Sequence, residues 1–193
     1  LVADCSSLIS NLGTVQGILV TGDIAFSGKE DEYLSASGFL RRLCASVNIP
    51  PERVWVVPGN HDVDRHAANA PIVSALREKL RRCAGPLELD KCLTGYYSDP
   101  ESLVQLYAPQ ANYISFASAY SCAIGPGTPS IMFWEQDFIL NDGTILRLRG
   151  LNSAIVSDMA DAKGNLVLGS VPATPPPESG IEYMVLCHHP PTW

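Results

Sequence analysis

The order of apolar and polar positions predicts a strand–helix–strand unit in the first third of the chain. The apolar run in GILVTGD (17–23) leads into a Gly-Asp turn and predicts a buried strand, and residues 53–57 predict a second one. Strands joined in this way are parallel neighbours with a right-handed crossover. Between them, apolar side chains recur at helical spacing, and two prolines end the helix; the apolar positions are Ala36, Phe39, Leu40, Leu43 and Val47.

The pattern changes to helical spacing between residues 66 and 120. Apolar residues at Ile72, Val73, Leu76 and Leu80 predict an amphipathic helix, and residues 98–120 predict a further helical or mixed segment. We expect this inserted block to shape access to a site or to be a pair of packing helices, and the pattern does not choose between these roles.

The remaining sequence predicts strands again. Asn141-Asp142-Gly143 separates two apolar runs within residues 131–156, which is typical of a β-hairpin. Residues 170–180 are rich in proline and predict an irregular connection, because proline cannot support a helix interior or a strand ladder. The segment IEYMVLCHHPPTW (181–193) predicts one more buried strand that ends in a polar corner. A short helix ending near Gly13 is predicted before the first strand.

Length and charge then limit the function classes. A chain of 193 residues is long enough for one domain with a sizeable core, so we expect a single domain over 1–193 that includes the block 66–120. The net charge of −7 and the pI near 5.0 argue against a protein that holds nucleic acid by bulk electrostatics. An acidic chain can still hydrolyse a phosphoester if metal ions supply positive charge locally.

The cysteines and the hydropathy indicate a cellular location. Six cysteines occur without a Cys-x-x-Cys pair, which suits reduced thiols in a cytoplasmic protein better than a disulfide framework. No apolar run approaches the roughly 18 residues that a membrane span needs, so no membrane partner is expected. The first residues lack the basic start and apolar centre of a secretory signal. We therefore predict a cytoplasmic protein.

Three predicted strands end on residues that can bind metal ions. The endings are Gly22-Asp23, the run Gly59 to Asp62, and His188-His189, and all four histidines of the chain lie in or beside two of them. Ligands of open α/β sheets gather at the carboxyl ends of the strands. We therefore expect Asp23, Asn60 and one of the two late histidines to converge although they are distant in sequence.

These residue types suit a particular chemistry. Carboxylate, amide and imidazole groups bind Mn, Fe or Zn, and two such ions can clamp a phosphoryl oxygen and generate hydroxide for in-line attack. His61 could then stabilise the transition state or protonate the leaving group. Asp62 could orient the His61 imidazole as a hydrogen-bond acceptor. The predicted catalytic residues are therefore His61 and Asp62.

The three motifs VTGDIAFSG, VPGNHDVDR and VLCHHPPTW together resemble those of the calcineurin-like metallophosphoesterases. The resemblance implies a four-layered α/β/β/α sandwich with a helical insertion after the Gly-Asn-His-Asp loop, and a site for two divalent metal ions. It implies that Asp23 bridges the metals and that Asn60 binds the second one. It also implies that His61 lies near the scissile oxygen. His188 is preferred to its neighbour as a further ligand because it precedes Pro190 by two residues.

The chain departs from this family at both ends. The family opens with an Asp-x-His strand and closes with a Gly-His-x-His motif, and neither occurs here. The expectation is an incomplete domain within a longer polypeptide, or a degenerate relative. The predicted function is a metal-dependent phosphoesterase that hydrolyses a phosphomonoester or phosphodiester through metal-bound hydroxide. The alternative is a catalytically degenerate binding or regulatory module of a larger protein. A phosphate-binding or nucleotide-sensing domain is less favoured because no Gly-rich phosphate loop is present.

Overall fold

The structure is a computed structural model that describes residues 1–191, apart from the side chains of residues 10 and 12. The last two positions of the VLCHHPPTW motif lie outside the described residues. Helices and two small sheets alternate along the chain, so the fold is mixed α/β, as the sequence predicts.

The predicted strand–helix–strand unit is present. Strand β1 (Ile18–Val20) pairs in parallel with β2 (Val54–Val56), and helix α2 (Glu30–Val47) connects them. Helix α1 (Val2–Leu12) precedes β1 and ends at Gly13, as expected. Strand β2 is fully buried, but the expectation of a buried first strand is only partly correct. The side chain of Leu19 is 44% exposed, because Ile18 and Val20 pack against the core and Leu19, between them, points to the opposite face of the strand.

The block between residues 66 and 120 is helical, as predicted. Proline opens three of its helices, where its missing N–H has no helical partner to lose. The buried Phe116 ring packs against Tyr33 of α2 with ring centroids 5.1 Å apart, so the block shares its core with the first unit. Its helices are α3 (Arg65–Ala68), α4 (Pro71–Arg81), α5 (Pro86–Ser98), α6 (Pro100–Tyr107) and α7 (Ala111–Ser118).

The second sheet follows this block. Strands β3 (Phe133–Ile139) and β4 (Ile145–Leu151) form the predicted antiparallel hairpin, and β5 (Ile181–Leu186) pairs in parallel with β4. The prediction of a buried last strand is wrong. In the described part of the chain β5 lies at the sheet edge, and the side chains of Met184 and Val185 are each 43% exposed.

The proline-rich connection contains one short helix that the sequence did not predict. Helix α8 (Ser170–Ala173) includes Pro172 in its first turn, where proline is tolerated. The remainder of residues 170–180 has neither helix nor strand, in line with the prediction.

Tryptophan side chains join the two sheets. The indole N–H of Trp55 donates to Gln136 on β3 (2.9 Å), and its ring meets Phe138 edge-on with centroids 4.7 Å apart. The indole N–H of Trp134 donates to the carbonyl oxygen of Val56 on β2 (2.9 Å). One continuous hydrophobic core therefore contains residues from both sheets and from the helical block.

Two further expectations concern the whole chain. All six cysteines are free thiols, as expected from their spacing. Across residues 1–191, none of the helices has both the length and the hydropathy required to cross a bilayer.

Candidate metal centre

The three polar strand ends meet at one place in the structure. Asp23 follows β1, Asn60 begins a single 3₁₀ turn after β2, and His188 follows β5. The Nε2 atom of His188 lies 3.1 Å from Asn60 Oδ1 and 3.5 Å from Asp23 Oδ1. The predicted convergence of these three side chains is therefore confirmed, although residues 23 and 188 are far apart in sequence.

Two glycines make this close approach possible. A Cβ atom on Gly59 would lie 2.2 Å from Asp23 Oδ1, and one on Gly22 would lie 2.5 Å from His188 Nδ1. Gly22 also has φ +97°, a conformation that side-chain-bearing residues rarely adopt. Asp23 itself has φ +54°, in the left-handed region that aspartate tolerates better than most residues. Each glycine thus leaves room for a side chain from another strand end: Gly59 for Asp23, and Gly22 for His188.

The hydrogen bonds of His188 define what its ring presents to the centre. Its Nδ1 atom lies 2.8 Å from the carbonyl oxygen of Thr21 and donates to it, because a carbonyl can only accept. In the neutral ring, the Nε2 atom then carries a lone pair, which faces the side-chain oxygens of Asp23 and Asn60. Three electron-pair donors that face one another need a proton or a cation among them.

The spacing of these donors fits a metal ion. Zinc lies about 2.0 to 2.2 Å from nitrogen and oxygen ligands, so two ligands separated by about 90° to 110° are roughly 2.8 to 3.6 Å apart. The observed separations of 3.1 and 3.5 Å are within this range. Carboxylate, amide and imidazole donors suit Mn, Fe or Zn. The residues present therefore fit one divalent cation.

The second late histidine has a different environment. The ring of His189 is buried, and its Nδ1 atom lies 2.9 Å from the Ser153 hydroxyl. Burial lowers the pKa of His189, and the adjacent His188 lowers it further. The structure thus places His188 beside Asp23 and Asn60, and places His189 in the packing around the end of β4.

His61 lies next to the centre but is not oriented as predicted. Its backbone N–H donates to Asp23 Oδ1 (3.0 Å), and its ring Nδ1 donates to the carbonyl oxygen of Phe26 (2.8 Å). The expectation that Asp62 orients this imidazole is wrong. A backbone carbonyl takes that role, which leaves Nε2 of His61 as the atom that can hold or release a proton.

The carboxylate of Asp62 instead ties the two loops together. It is fully buried and accepts hydrogen bonds from the backbone N–H groups of Ile24, Ala25 and Gly59, at 3.2, 2.9 and 2.8 Å. The hydroxyl of Tyr33 is its fourth donor (3.0 Å). Burial raises the pKa of Asp62, and these hydrogen bonds oppose the rise. Asp62 is therefore a positioning residue that fixes the backbone carrying Asp23 and Asn60.

Other polar residues near these loops have structural roles. Asp64 caps α3 and pairs with Lys29 (2.7 Å). Asn152, at the end of β4, exchanges two amide hydrogen bonds with Gln110, at 2.7 and 3.2 Å.

The backbone contributions were not predictable from residue types. The carbonyl oxygens of Thr21 and Phe26 fix the rings of His188 and His61, and a carbonyl has no signature in the sequence. Tyr33 was also missed, because its helical spacing indicates only a core residue. Its contact with Asp62 depends on how α2 packs against the loop.

The three donors of the candidate centre are a carboxylate, an imidazole and a side-chain amide. Within residues 1–191, no group of three histidine, cysteine, aspartate or glutamate side chains is arranged to hold a metal ion, and Asn60 supplies the third donor here.

Comparison with known proteins gives no match among family models, curated proteins or solved structures.

Proposed function

We propose that the chain is a metal-dependent phosphoesterase domain that hydrolyses a phosphomonoester or phosphodiester. The observation that supports this function is the convergence of Asp23 Oδ1, Asn60 Oδ1 and His188 Nε2 at the ends of three strands. The proposal includes the finer fold assignment, a four-layered sandwich. The two sheets joined through Trp55 and Trp134 support that assignment.

In this proposal, three residues of the chain bind a cation and a fourth residue transfers a proton. Asp23, Asn60 and His188 would hold one of the two divalent cations that the proposed hydrolysis uses, and these cations would act as Lewis acids on a phosphoryl oxygen and make water more acidic. His61 keeps Nδ1–H on the Phe26 carbonyl, so its Nε2 atom can carry a proton toward the oxygen of a leaving group. The imidazole cannot rotate freely, which favours transfer at that atom.

Hydrolysis of p-nitrophenyl phosphate and bis-p-nitrophenyl phosphate with Mn²⁺ tests this proposal. We expect Asn60→Ala and His61→Ala to lower kcat/KM by about 100-fold or more, which is typical for a lost general acid or a lost metal ligand. His66→Ala is the matched control, because His66 is exposed on α3 and should leave the rate unchanged. Absence of turnover in the parent protein, or equal rates in all variants, would contradict the proposal.

A second candidate is a degenerate module that binds one cation without catalysis. It is favoured by the donor set, since the three side chains described fit a single ion and a second ion would need further ligands. Calorimetric titration with Mn²⁺ distinguishes the two candidates. The enzyme should bind two ions per chain and the module one, and His188→Ala should abolish the shared site whereas His66→Ala should not.

A further inference from the structure

The loop that carries Asp23 is held rigidly along its length. We call residues 22–29 the Asp23 loop. Asp62 accepts from two of its N–H groups, and the Glu32 carboxylate accepts from the N–H groups of Ser27 (3.0 Å) and Lys29 (2.9 Å). Asn112 of α7 donates to the carbonyl oxygen of Gly28 (2.8 Å). A loop with its backbone groups satisfied in this way has a defined conformation.

One large apolar side chain of this rigid loop is exposed. The side chain of Phe26 is 77% exposed, although the neighbouring Ala25 is buried. Its ring lies beside His61, with centroids 5.3 Å apart and planes inclined by 31°. The exposed ring therefore forms part of the surface next to the candidate proton donor.

Phe26 also lines a groove whose walls include one of the candidate metal ligands, Asp23. The groove has a volume of about 730 Å³. Its other walls are largely apolar side chains of β1 and α2. Among the described lining residues, the charged side chains are Asp23, Asp31 and Glu32, all acidic. The groove therefore suits an uncharged apolar group and disfavours an additional anionic one.

We propose that the ring of Phe26 binds a planar aromatic group attached to the phosphoester, so that the preferred substrates are esters of an aryl or nucleoside type without further phosphates. This inference rests on the proposed function, since the metal-binding residues would hold the phosphoryl end. Aromatic rings attract one another in offset or edge-on arrangements beyond the gain from buried area. Stacking of this type is tolerant of the precise ring.

Calorimetric titration with phenylphosphonate and methylphosphonate in the presence of Mn²⁺ tests the inference without turnover. We expect phenylphosphonate to bind about 5- to 10-fold more tightly than methylphosphonate. Phe26→Ala and Phe26→Leu should remove this preference, and Phe26→Trp should retain it. Leu87→Ala is the matched control, because Leu87 is 79% exposed on α5 and lies away from the groove.

The outcomes separate this inference from the proposed function. Equal affinities for the two phosphonates, an unchanged preference in Phe26→Ala, or no binding of either compound would overturn the inference. It would also fall if Phe26→Ala weakened both compounds equally, because the ring would then only position His61. A Phe26-dependent preference without any hydrolysis would retain Phe26 as the binding group for an aromatic ligand, and would remove the enzymatic proposal and the substrates with it.

Discussion

One buried carboxylate, that of Asp62, determines whether the candidate centre can form. Four donors converge on it, three of them backbone N–H groups from the two loops that carry Asp23 and Asn60. A buried N–H group that loses its acceptor costs about 1 to 3 kcal/mol. The arrangement of the candidate metal ligands therefore depends on a side chain that does not face the candidate centre.

We predict that Asp62→Asn lowers the free energy of unfolding by about 2 to 4 kcal/mol. The amide offers one accepting oxygen, and its NH₂ group would face backbone N–H groups that also donate. Tyr33→Phe is the matched control, because it removes one donor of four and should cost about 1 kcal/mol. Urea denaturation at pH 7 measures both values. If Asp62→Asn left the stability unchanged and only abolished catalysis, the result would support the original prediction that Asp62 acts directly on the His61 imidazole.

Residue types were sufficient to predict the side chains of the centre but not their supports. Asp23, Asn60 and His188 were predictable because they end apolar strands with metal-binding groups. The partner of His61 was not, since a carboxylate directly after an imidazole in the sequence indicates a contact that the actual backbone path prevents. Asp62 points into the protein, and the Phe26 carbonyl reaches the ring instead.

The elements of the first unit bring the loops together through close backbone packing at the strand ends. The sequence predicted the parallel pair of strands because apolar runs and a helical repeat alternate there. It did not predict that β1 is only three residues long and partly exposed, because an apolar run does not reveal whether other elements pack on both faces of the strand. Strand β5 was mistaken for a buried strand for the same reason.

We predict that Gly59→Ala disrupts the centre although φ is an ordinary −104° at this position. Its new methyl group would overlap the carboxylate and the amide nitrogen of Asp23, which must then move away from His188. We expect the affinity for Mn²⁺ to fall at least 10-fold and the protein to lose about 1 to 3 kcal/mol of stability.

Gly95→Ala provides the matched control for that substitution. Gly95 lies inside α5, and a Cβ atom there has no neighbour within 4 Å. The change should stabilise the protein by about 0.5 to 1 kcal/mol, because alanine favours a helix, and should leave Mn²⁺ binding unchanged. Calorimetry and urea denaturation of both variants test the pair. Normal metal binding by Gly59→Ala would show that Asp23 is not held against Gly59.

At the scale of the whole molecule, arginines of the helical block reach across to the segment that follows β4. The buried Arg77 guanidinium donates to the carbonyl oxygens of Ile155 and Ser157. Arg81 donates to the carbonyl oxygen of Val156 and pairs with Asp158 (2.7 Å). Burial lowers the pKa of Arg77 to about 10, so the group remains charged at neutral pH. These contacts connect helix α4 to the segment that follows β4.

Because of these contacts, we expect the free energy of unfolding to fall as the pH becomes acidic. Burial alone would raise the pKa of Asp158, but hydrogen bonds from the Ala160 N–H and from Arg81, together with the positive charge of Arg81 and Arg77, lower it overall. A carboxyl group with a lowered folded-state pKa stabilises the protein above its unfolded pKa of about 3.9, and this contribution is lost as the pH falls through the folded value.

We predict that Asp158→Asn costs about 1 to 2 kcal/mol of stability at pH 7, because its amide would face the Arg81 guanidinium. The difference from the parent protein should shrink as the pH falls below about 4. Asp137→Asn is the matched control: Asp137 pairs with Arg147 near the surface, and Arg147 keeps Glu178, so the loss should be under about 1 kcal/mol. Urea denaturation between pH 3 and pH 7 measures the stability of both variants and of the parent protein. A stability loss in Asp158→Asn that does not change with pH would show that the charge of Asp158 does not hold α4 to the segment that follows β4.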